Sequence, residues 1–154
     1  AAPMSSCTPY FEQQHARLDA LLHTHLLDLV GGDFAAAQQH FAAWQAGIAA
    51  HIEIENTRLL PHVPAQARWA ARVYLLEHER ITLLAEEYQA RLQAAMQNPP
   101  RDEPARREMV LTLLDAAHAL RHVLEHHHAR EEQALAQELP QALQAEVWGA
   151  ATST

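Results

Sequence analysis

Apolar residues recur every three or four positions along most of the chain, which is the spacing of helices with one buried face. Glycine and proline interrupt this pattern at Gly31-Gly32, at Pro61 and at Asn98-Pro99-Pro100. Asp33 and Asp102 follow two of the interruptions, where a helix N-cap belongs. The pattern therefore predicts helices over about 9–30, 34–60, 65–97 and 103–138, with a short fifth segment at 141–148.

The predicted helices are joined in a way that limits the fold. No part of the chain alternates apolar and polar residues over a useful length, so strands are not expected. The connections are short, apart from the polar stretch at 98–103, and short connections make neighbouring helices antiparallel. We therefore expect one all-α domain over residues 1–154, folded as an antiparallel up-down-up-down four-helix bundle.

Composition narrows the classes of protein that fit. The chain has 154 residues, 49% of them hydrophobic, which is too apolar for a disordered chain. The net charge is −8 and the eleven basic residues, all arginines, form no run, so nucleic-acid binding is not expected. No apolar run approaches about 18 residues, so no membrane partner is expected. A single cysteine, Cys7, and a start without signal-peptide features favour a cytoplasmic protein.

The chain contains twelve histidines, and five of them fall within the apolar stripes, namely His25 of the first helix and one further histidine in each long helix. Each long helix contributes one: His15, His51, His78 and His127. The second and fourth helices add a glutamate one turn later, Glu55 and Glu131, on the same face as the histidine. Both helices also have an apolar residue three positions before the histidine and a leucine eight positions after it. The stripes therefore predict a buried cluster of imidazoles and carboxylates.

Two buried carboxylates need a compensating positive charge, because an unpaired buried charge costs several kcal/mol or more. The chain has no lysine, and no arginine falls in the four stripes. A bound cation supplies the charge directly, and imidazole with carboxylate suits iron, manganese or zinc. Two carboxylates inside a helix bundle favour two ions over one. The competing interpretation is a polar core held by hydrogen bonds without metal.

Other histidines are weaker candidates. At a rise of about 1.5 Å per residue, His15, His51 and His78 lie about 24 to 29 Å above the end of the bundle that holds the turn between the first two helices. His127 comes out higher, at about 36 Å, whereas His25 lies only about 9 Å from that turn. We therefore do not expect His25 to be a ligand. In the fourth helix, the pair His128 and Glu132 is an alternative register. The exposed stripe of His118, His122 and His126 faces away from the cluster and is at most an adventitious metal site.

The four segments that carry these residues resemble the hemerythrin-like family, also called the HHE cation-binding domain. They read EQQHARLDALL around His15, HIEIENTRLLP from His51, LLEHERI around His78 and LEHHHAREEQAL around His127. The resemblance covers about 120 residues. It implies a non-haem centre of two iron ions with an oxo or hydroxo bridge. By this resemblance Glu55 and Glu131 bridge the ions, and the terminal ligands are His15, His51, His78 and His127.

The resemblance also implies a function. Members of the family bind O2 reversibly, sense oxygen or redox state, handle iron, or act on nitric oxide or peroxide. Oxygen carriers have a histidine pair at i, i+4 on the third helix, whereas here the neighbours of His78 at that spacing are Tyr74 and Thr82. We expect binding or sensing of O2, peroxide or a small radical, with Tyr74 as an extra ligand or hydrogen-bond donor. The alternatives are an enzyme that reduces peroxide or nitric oxide, and an iron storage or delivery protein.

A second apolar stripe runs along the third helix, formed by Trp69, Val73, Leu76 and Leu83. Packing under the C-terminal segment at 141–148 explains it most simply. A homodimer through this helix is the alternative.

Overall fold

The computed structural model describes residues 8–152, and helix makes up nearly all of that range. The helices are α1 (Tyr10–Gly31), α2 (Phe34–Ile54), α3 (Ala71–Gln97), α4 (Glu103–Arg130), α5 (Ala136–Glu138) and α6 (Gln141–Thr152). Two single π-helical turns (Glu55–Leu59 and Glu131–Leu135) and a 3-10 turn (Leu60–His62) complete the set. Within residues 8–152 there is no strand, which confirms the all-α prediction for that part of the chain. No helix of this range is long and apolar enough to cross a bilayer.

Two of the helix boundaries lie where the glycine interruption and the aspartate N-caps predict them. Gly32 terminates α1 in the left-handed region, with φ 79°, a conformation that glycine adopts without a steric penalty. The Asp33 carboxylate accepts a hydrogen bond from the Ala36 amide at the start of α2. Asp102 caps α4 in the same way, through the Ala105 amide at 2.9 Å. Local capping chemistry therefore explains why these helices begin and end where they do.

The predicted start of the third helix at residue 65 is wrong, because α3 begins at Ala71. Pro64 opens a turn closed by the Ala67 amide, and this turn occupies the chain that was expected to be helical. The Arg68 amide donates to the Glu138 carboxylate at 2.7 Å. The Arg130 guanidinium lies over the Trp69 ring, 4.2 Å from its centroid. Tertiary contacts from the end of α4 and from α5 therefore hold this segment as a loop.

The long helices enclose a main core of buried apolar residues. All four contribute, through Leu18 to Leu29, Ala37 to Ile48, Ile81 to Leu92 and Val110 to Leu124. The pairs α1/α2 and α3/α4 make the most extensive contacts. Gly47 allows α1 and α2 to approach closely, since a Cβ there would lie 2.9 Å from Leu18 Cδ2.

A second, smaller core lies under α6. It contains Phe11, Leu59, Tyr74, Leu135 and Trp148, one from each long helix or its π-helical continuation and one from α6. In each of the four helical segments, the predicted histidine falls between residues of the main core and residues of the second core. The two apolar clusters therefore flank the layer that carries the polar side chains.

The second apolar stripe of α3 is only partly covered. Leu76 and Leu83 remain 48% and 49% exposed, so the expectation that α6 covers the whole stripe is wrong. Instead, the Trp148 ring of α6 packs edge-on against Phe11 of α1 at 5.8 Å. A homodimer through α3 stays a prediction.

His25 belongs to the main core and not to the polar layer. Its Nδ1 donates to the Ala37 carbonyl at 2.7 Å, and its Nε2 accepts from the Tyr88 hydroxyl. This pairing requires the neutral ring with its proton on Nδ1. Burial lowers the pKa of His25 below its ordinary value of 6.5. Both ring nitrogens are used within the core, which explains why this inward histidine takes no part in the cluster.

His25 makes the stability of the fold sensitive to acid. The unfolded chain binds a proton at His25 below about pH 6.5, whereas the folded chain resists it, so the free energy of unfolding falls as the pH drops through that range. Urea unfolding at about pH 8 and about pH 5.5 measures this loss. We expect His25→Gln, which keeps a polar side chain but does not titrate, to lose less stability on acidification than wild type. An equal loss in both proteins contradicts the assignment.

Candidate metal centre

Six buried side chains meet in the layer between the two cores. They are the predicted ones: His15, His51, Glu55, His78, His127 and Glu131. Each of the four long helices supplies one imidazole, and the glutamates follow one turn after the histidines of α2 and α4. Both glutamates have no exposed surface. The structure thus brings together every residue that the stripes singled out as a metal ligand.

Each glutamate begins a π-helical turn, a feature that the sequence analysis did not predict. The Leu60 amide donates to the Glu55 carbonyl and the Ala136 amide to the Glu131 carbonyl, each five residues further along the chain. Isolated π-helical turns insert a residue into an α-helix and are frequent at functional sites. The sequence offers little to predict a π-helical turn, because such turns have no characteristic amino-acid composition. The two matched His-x3-Glu segments were the one hint that α2 and α4 end alike.

The four Nε2 atoms converge on the two carboxylates. His51 Nε2 lies 2.9 Å from Glu55 Oε1, and His127 Nε2 lies 3.1 Å from Glu131 Oε2. His15 Nε2 lies 2.9 Å from Glu131 Oε1. His78 Nε2 lies between the carboxylates, 3.4 Å from Glu55 Oε1 and 3.5 Å from Glu131 Oε2. All four imidazoles therefore present the same nitrogen to the centre of the layer.

The donor atoms divide into two groups that share one residue. One group holds Glu55, His78, His127 and Glu131, and the other holds His15, His51 and Glu131. Within each group the ligand atoms lie within 4.8 Å of one another. Glu131 directs Oε1 toward His15 and His51 and Oε2 toward His78 and His127. Glu131 is therefore shared by the two groups, with one carboxylate oxygen facing each pair of imidazoles.

The geometry of most of these contacts fits metal ligands better than hydrogen-bonded partners; the exception is His15 Nε2, which is in hydrogen-bond geometry to Glu131 Oε1. Among the described residues, His51 Nε2, His78 Nε2, His127 Nε2 and both Glu55 oxygens have no hydrogen-bond partner, although they lie close to opposite charge. Their nitrogens are close to the oxygens without aiming N–H bonds at them. Ligands about 2.1 Å from one ion lie about 3 Å apart when they bind at right angles. The observed separations of 2.9 to 3.5 Å match that spacing.

Outer contacts orient two of the imidazoles. His78 Nδ1 donates to Asn56 Oδ1 at 2.6 Å. His127 Nδ1 donates to the Glu77 carboxylate at 3.2 Å, and Arg130 donates to the same carboxylate. Partners of this kind on the far ring nitrogen fix the tautomer of metal-binding histidines. Asn56 and Glu77 were not predicted from the sequence, because their contacts arise only when α3 packs against the ends of α2 and α4.

The electrostatic field of the cluster favours cations. Burial lowers the pKa of His51 and of His127, but the carboxylates of Glu55 and Glu131 outweigh it and raise both values to about 10. Burial raises the pKa of Glu131, yet the neighbouring histidines hold it well below its ordinary value. Protons and metal ions therefore compete for the same electron pairs of the imidazoles.

The remaining candidates lie around this centre. Tyr74 is buried beside it, its hydroxyl has no hydrogen-bond partner among the described residues, and burial with the Glu138 and Glu131 carboxylates raises its pKa. His128, the alternative register, stacks on the outer face of His15 with ring centroids 3.9 Å apart. Its partner in that register, Glu132, lies 3.4 Å from His15 Nδ1. Cys7 lies outside the described residues.

The C-terminal helix also contacts the cluster. The Trp148 indole stacks on the His51 ring with centroids 4.8 Å apart and an interplanar angle of 14°. This contact was not predicted, because the amphipathic pattern of α6 does not reveal which end of the molecule it covers. Trp148 closes the layer on the side of α1 and α2.

Comparison of the chain with models of protein families, with curated proteins and with solved structures finds no match. Four imidazoles and two carboxylates in a buried layer could hold metal ions, and they offer the mixed nitrogen and oxygen donors that first-row metals bind.

Metal ions should stabilise the folded chain through this cluster. After stripping with a chelator, addition of a first-row ion at about 100 times its dissociation constant is expected to raise Tm by roughly 5 to 10 °C. Glu131→Gln removes the shared carboxylate and should abolish most of that rise. Glu53→Gln removes an exposed carboxylate from the same region and serves as the control. Differential scanning calorimetry checks this, and an equal rise in both variants contradicts the role of Glu131.

Proposed function

We propose that this chain is a hemerythrin-like protein that holds two iron ions in the buried cluster and binds or senses O2 or a related small oxidant or radical. The observation that carries the proposal is Glu131, whose two oxygens face two different pairs of histidines. Glu55 supports it, since its Oε1 lies near one histidine of each pair, His51 and His78.

The proposal includes an antiparallel up-down-up-down bundle, and contacts at both ends of α1 support it. The start of α1 meets the end of α4 where His15 contacts Glu131, and the end of α1 meets the start of α4 where Arg106 donates to the Val30 carbonyl. His25 of α1 contacts Tyr88 of α3, which lies later in its helix than His78. These contacts support α1 and α3 running in one direction and α4 in the other.

Iron is the metal we propose because binding or sensing an oxidant requires a redox-active ion. Bound iron would supply the electron exchange with a small oxidant, which zinc would not, because zinc has no redox chemistry. Glu55 and Glu131 together offer four carboxylate oxygens and the histidines four nitrogens. Eight protein donors are fewer than two six-coordinate ions take up, so room remains for a small molecule.

The surroundings of the cluster suit a small, uncharged ligand. Phe11 and Trp148 exclude water on one side, and the main core excludes it on the other. We propose that the Tyr74 hydroxyl faces the bound molecule. This hydroxyl is buried and protonated at neutral pH, and the Glu131 carboxylate is near enough to help raise its pKa. A hydroxyl in such a place donates a hydrogen bond to a ligand without competing with water.

Metal content and an optical spectrum test the proposal on protein purified without an affinity tag or added metal. We expect two irons per chain and charge-transfer absorption in the near ultraviolet. Adding O2, peroxide and nitric oxide in turn should change the spectrum without sustained turnover. Sustained consumption of peroxide, or of nitric oxide with an electron donor, identifies an enzyme instead. A stable folded chain that takes up no metal contradicts the proposal.

Tyr74→Phe tests the hydroxyl in the ligand site. The variant should keep both metal ions, because the six cluster residues are unchanged. Loss of one hydrogen bond worth about 1 kcal/mol should increase the dissociation rate of the bound small molecule about fivefold. Stopped-flow absorbance after rapid dilution or ligand scavenging measures this rate. An unchanged rate with full metal content contradicts the role given to Tyr74.

A further inference from the structure

A groove of about 830 Å³ runs between α1 and α4 beside the cluster. We infer that this groove is the entry path for a divalent first-row cation, with His118 and His122 as its outermost ligands. The inference rests on the metal binding of the proposed function, but concerns residues outside the six that form the cluster. It assigns a role to the exposed histidines of α4, which the centre itself does not use.

The outer end of the groove carries a pair of imidazoles. His118 and His122 lie one turn apart on α4, both are exposed, and their ring centroids are 6.1 Å apart with an interplanar angle of 24°. An ion about 2.1 Å from one nitrogen of each of two histidines holds the ring centroids roughly 4.5 to 6 Å apart, so these two exposed rings need only a small rotation to share one ion. His23 of α1 lines the same groove. The pair can therefore bind a hydrated cation and leave its other positions to water.

The inner end of the groove reaches the cluster. His128 lines it and is only 5% exposed, and its Nε2 has no hydrogen-bond partner among the described residues. Its Nδ1 lies 3.4 Å from Asp19, and its ring stacks on His15. Glu132, also in the groove, lies 3.4 Å from His15 Nδ1. Successive donor groups thus lead from solvent to a residue of the cluster.

The charge of the groove suits a cation. Three carboxylates line it, those of Asp19, Glu125 and Glu132, against the single guanidinium of Arg121. A cleft lined mainly by one charge concentrates ions of the opposite charge and raises their association rates by about 10 to 1,000 fold. Such a lining also disfavours anions. The acidic lining and the histidines together point to a metal ion and not to a phosphate or an organic acid.

Packed side chains obstruct other approaches to the cluster. Trp148 covers His51, as its stacked ring shows. Glu77 and Arg130 cover His127, with Arg130 itself held over Trp69. Within the described chain, the face of His15 toward α4 is covered by His128, whose free nitrogen belongs to the groove. Entry through the groove requires the His128 side chain to move away from His15.

The test compares rates of metal uptake in full-length, metal-free variants. Rapid mixing with excess Co²⁺, followed by visible absorbance, reports filling of the cluster, and elemental analysis gives the final stoichiometry. His118→Ala/His122→Ala should load about tenfold more slowly than wild type, yet reach the same stoichiometry and spectrum. His40→Ala/His62→Ala, which removes two histidines outside the groove lining, should load at the wild-type rate.

A second measurement starts from loaded protein and does not depend on the metal-free fold. Because an entry path is also the exit path, release of Co²⁺ to a strong chelator should slow in His118→Ala/His122→Ala and, separately, in Glu132→Gln. If wild type, His118→Ala/His122→Ala and the control variant all load and release Co²⁺ at equal rates, the groove is not the entry path. That result leaves the assignment of the metal centre unaffected. Failure of wild type itself to bind Co²⁺ overturns both the path and the proposed function.

Discussion

Two fully buried carboxylates, those of Glu55 and Glu131, are the constraint on which the rest of this structure depends. The chain has no lysine, and no arginine reaches them among the contacts of the described residues. Four imidazoles surround them instead, and neutral imidazole does not compensate two negative charges. Either protons or metal ions must supply the balance, and the unaligned Nε2 and oxygen atoms favour metal ions.

The two apolar cores make this arrangement rigid. One core lies on each side of the polar layer along every long helix, so the helices cannot slide to separate the ligands without exposing apolar surface. The π-helical turns at Glu55 and Glu131 shift the phase of α2 and α4 where they leave the layer. Asn56 and Glu77 then fix the rings of His78 and His127. Because its side chains are already held in place, the site loses little conformational entropy when it binds a cation.

Helical periodicity and capping residues predicted the helices and the six residues of the cluster. The features that depend on tertiary contacts could not be predicted. His15, His51, His78 and His127 could be found from the sequence because helical phase determines which side chains face inward. The start of α3 could not, because the contact of Arg68 with Glu138 joins residues 70 positions apart. The same holds for Glu77, which reaches His127 from another helix. No periodic pattern encodes such pairs, nor does any composition mark a π turn.

Crystallographic anomalous scattering from iron-loaded protein tests the central claim most directly. We expect two peaks within the polar layer, about 3.5 Å apart, with Glu131 between them. One ion should be bound by His15 and His51 and the other by His78 and His127. A single peak, or a layer closed by direct hydrogen bonds between protonated imidazoles and the carboxylates at full iron concentration, would contradict a centre of two metal ions.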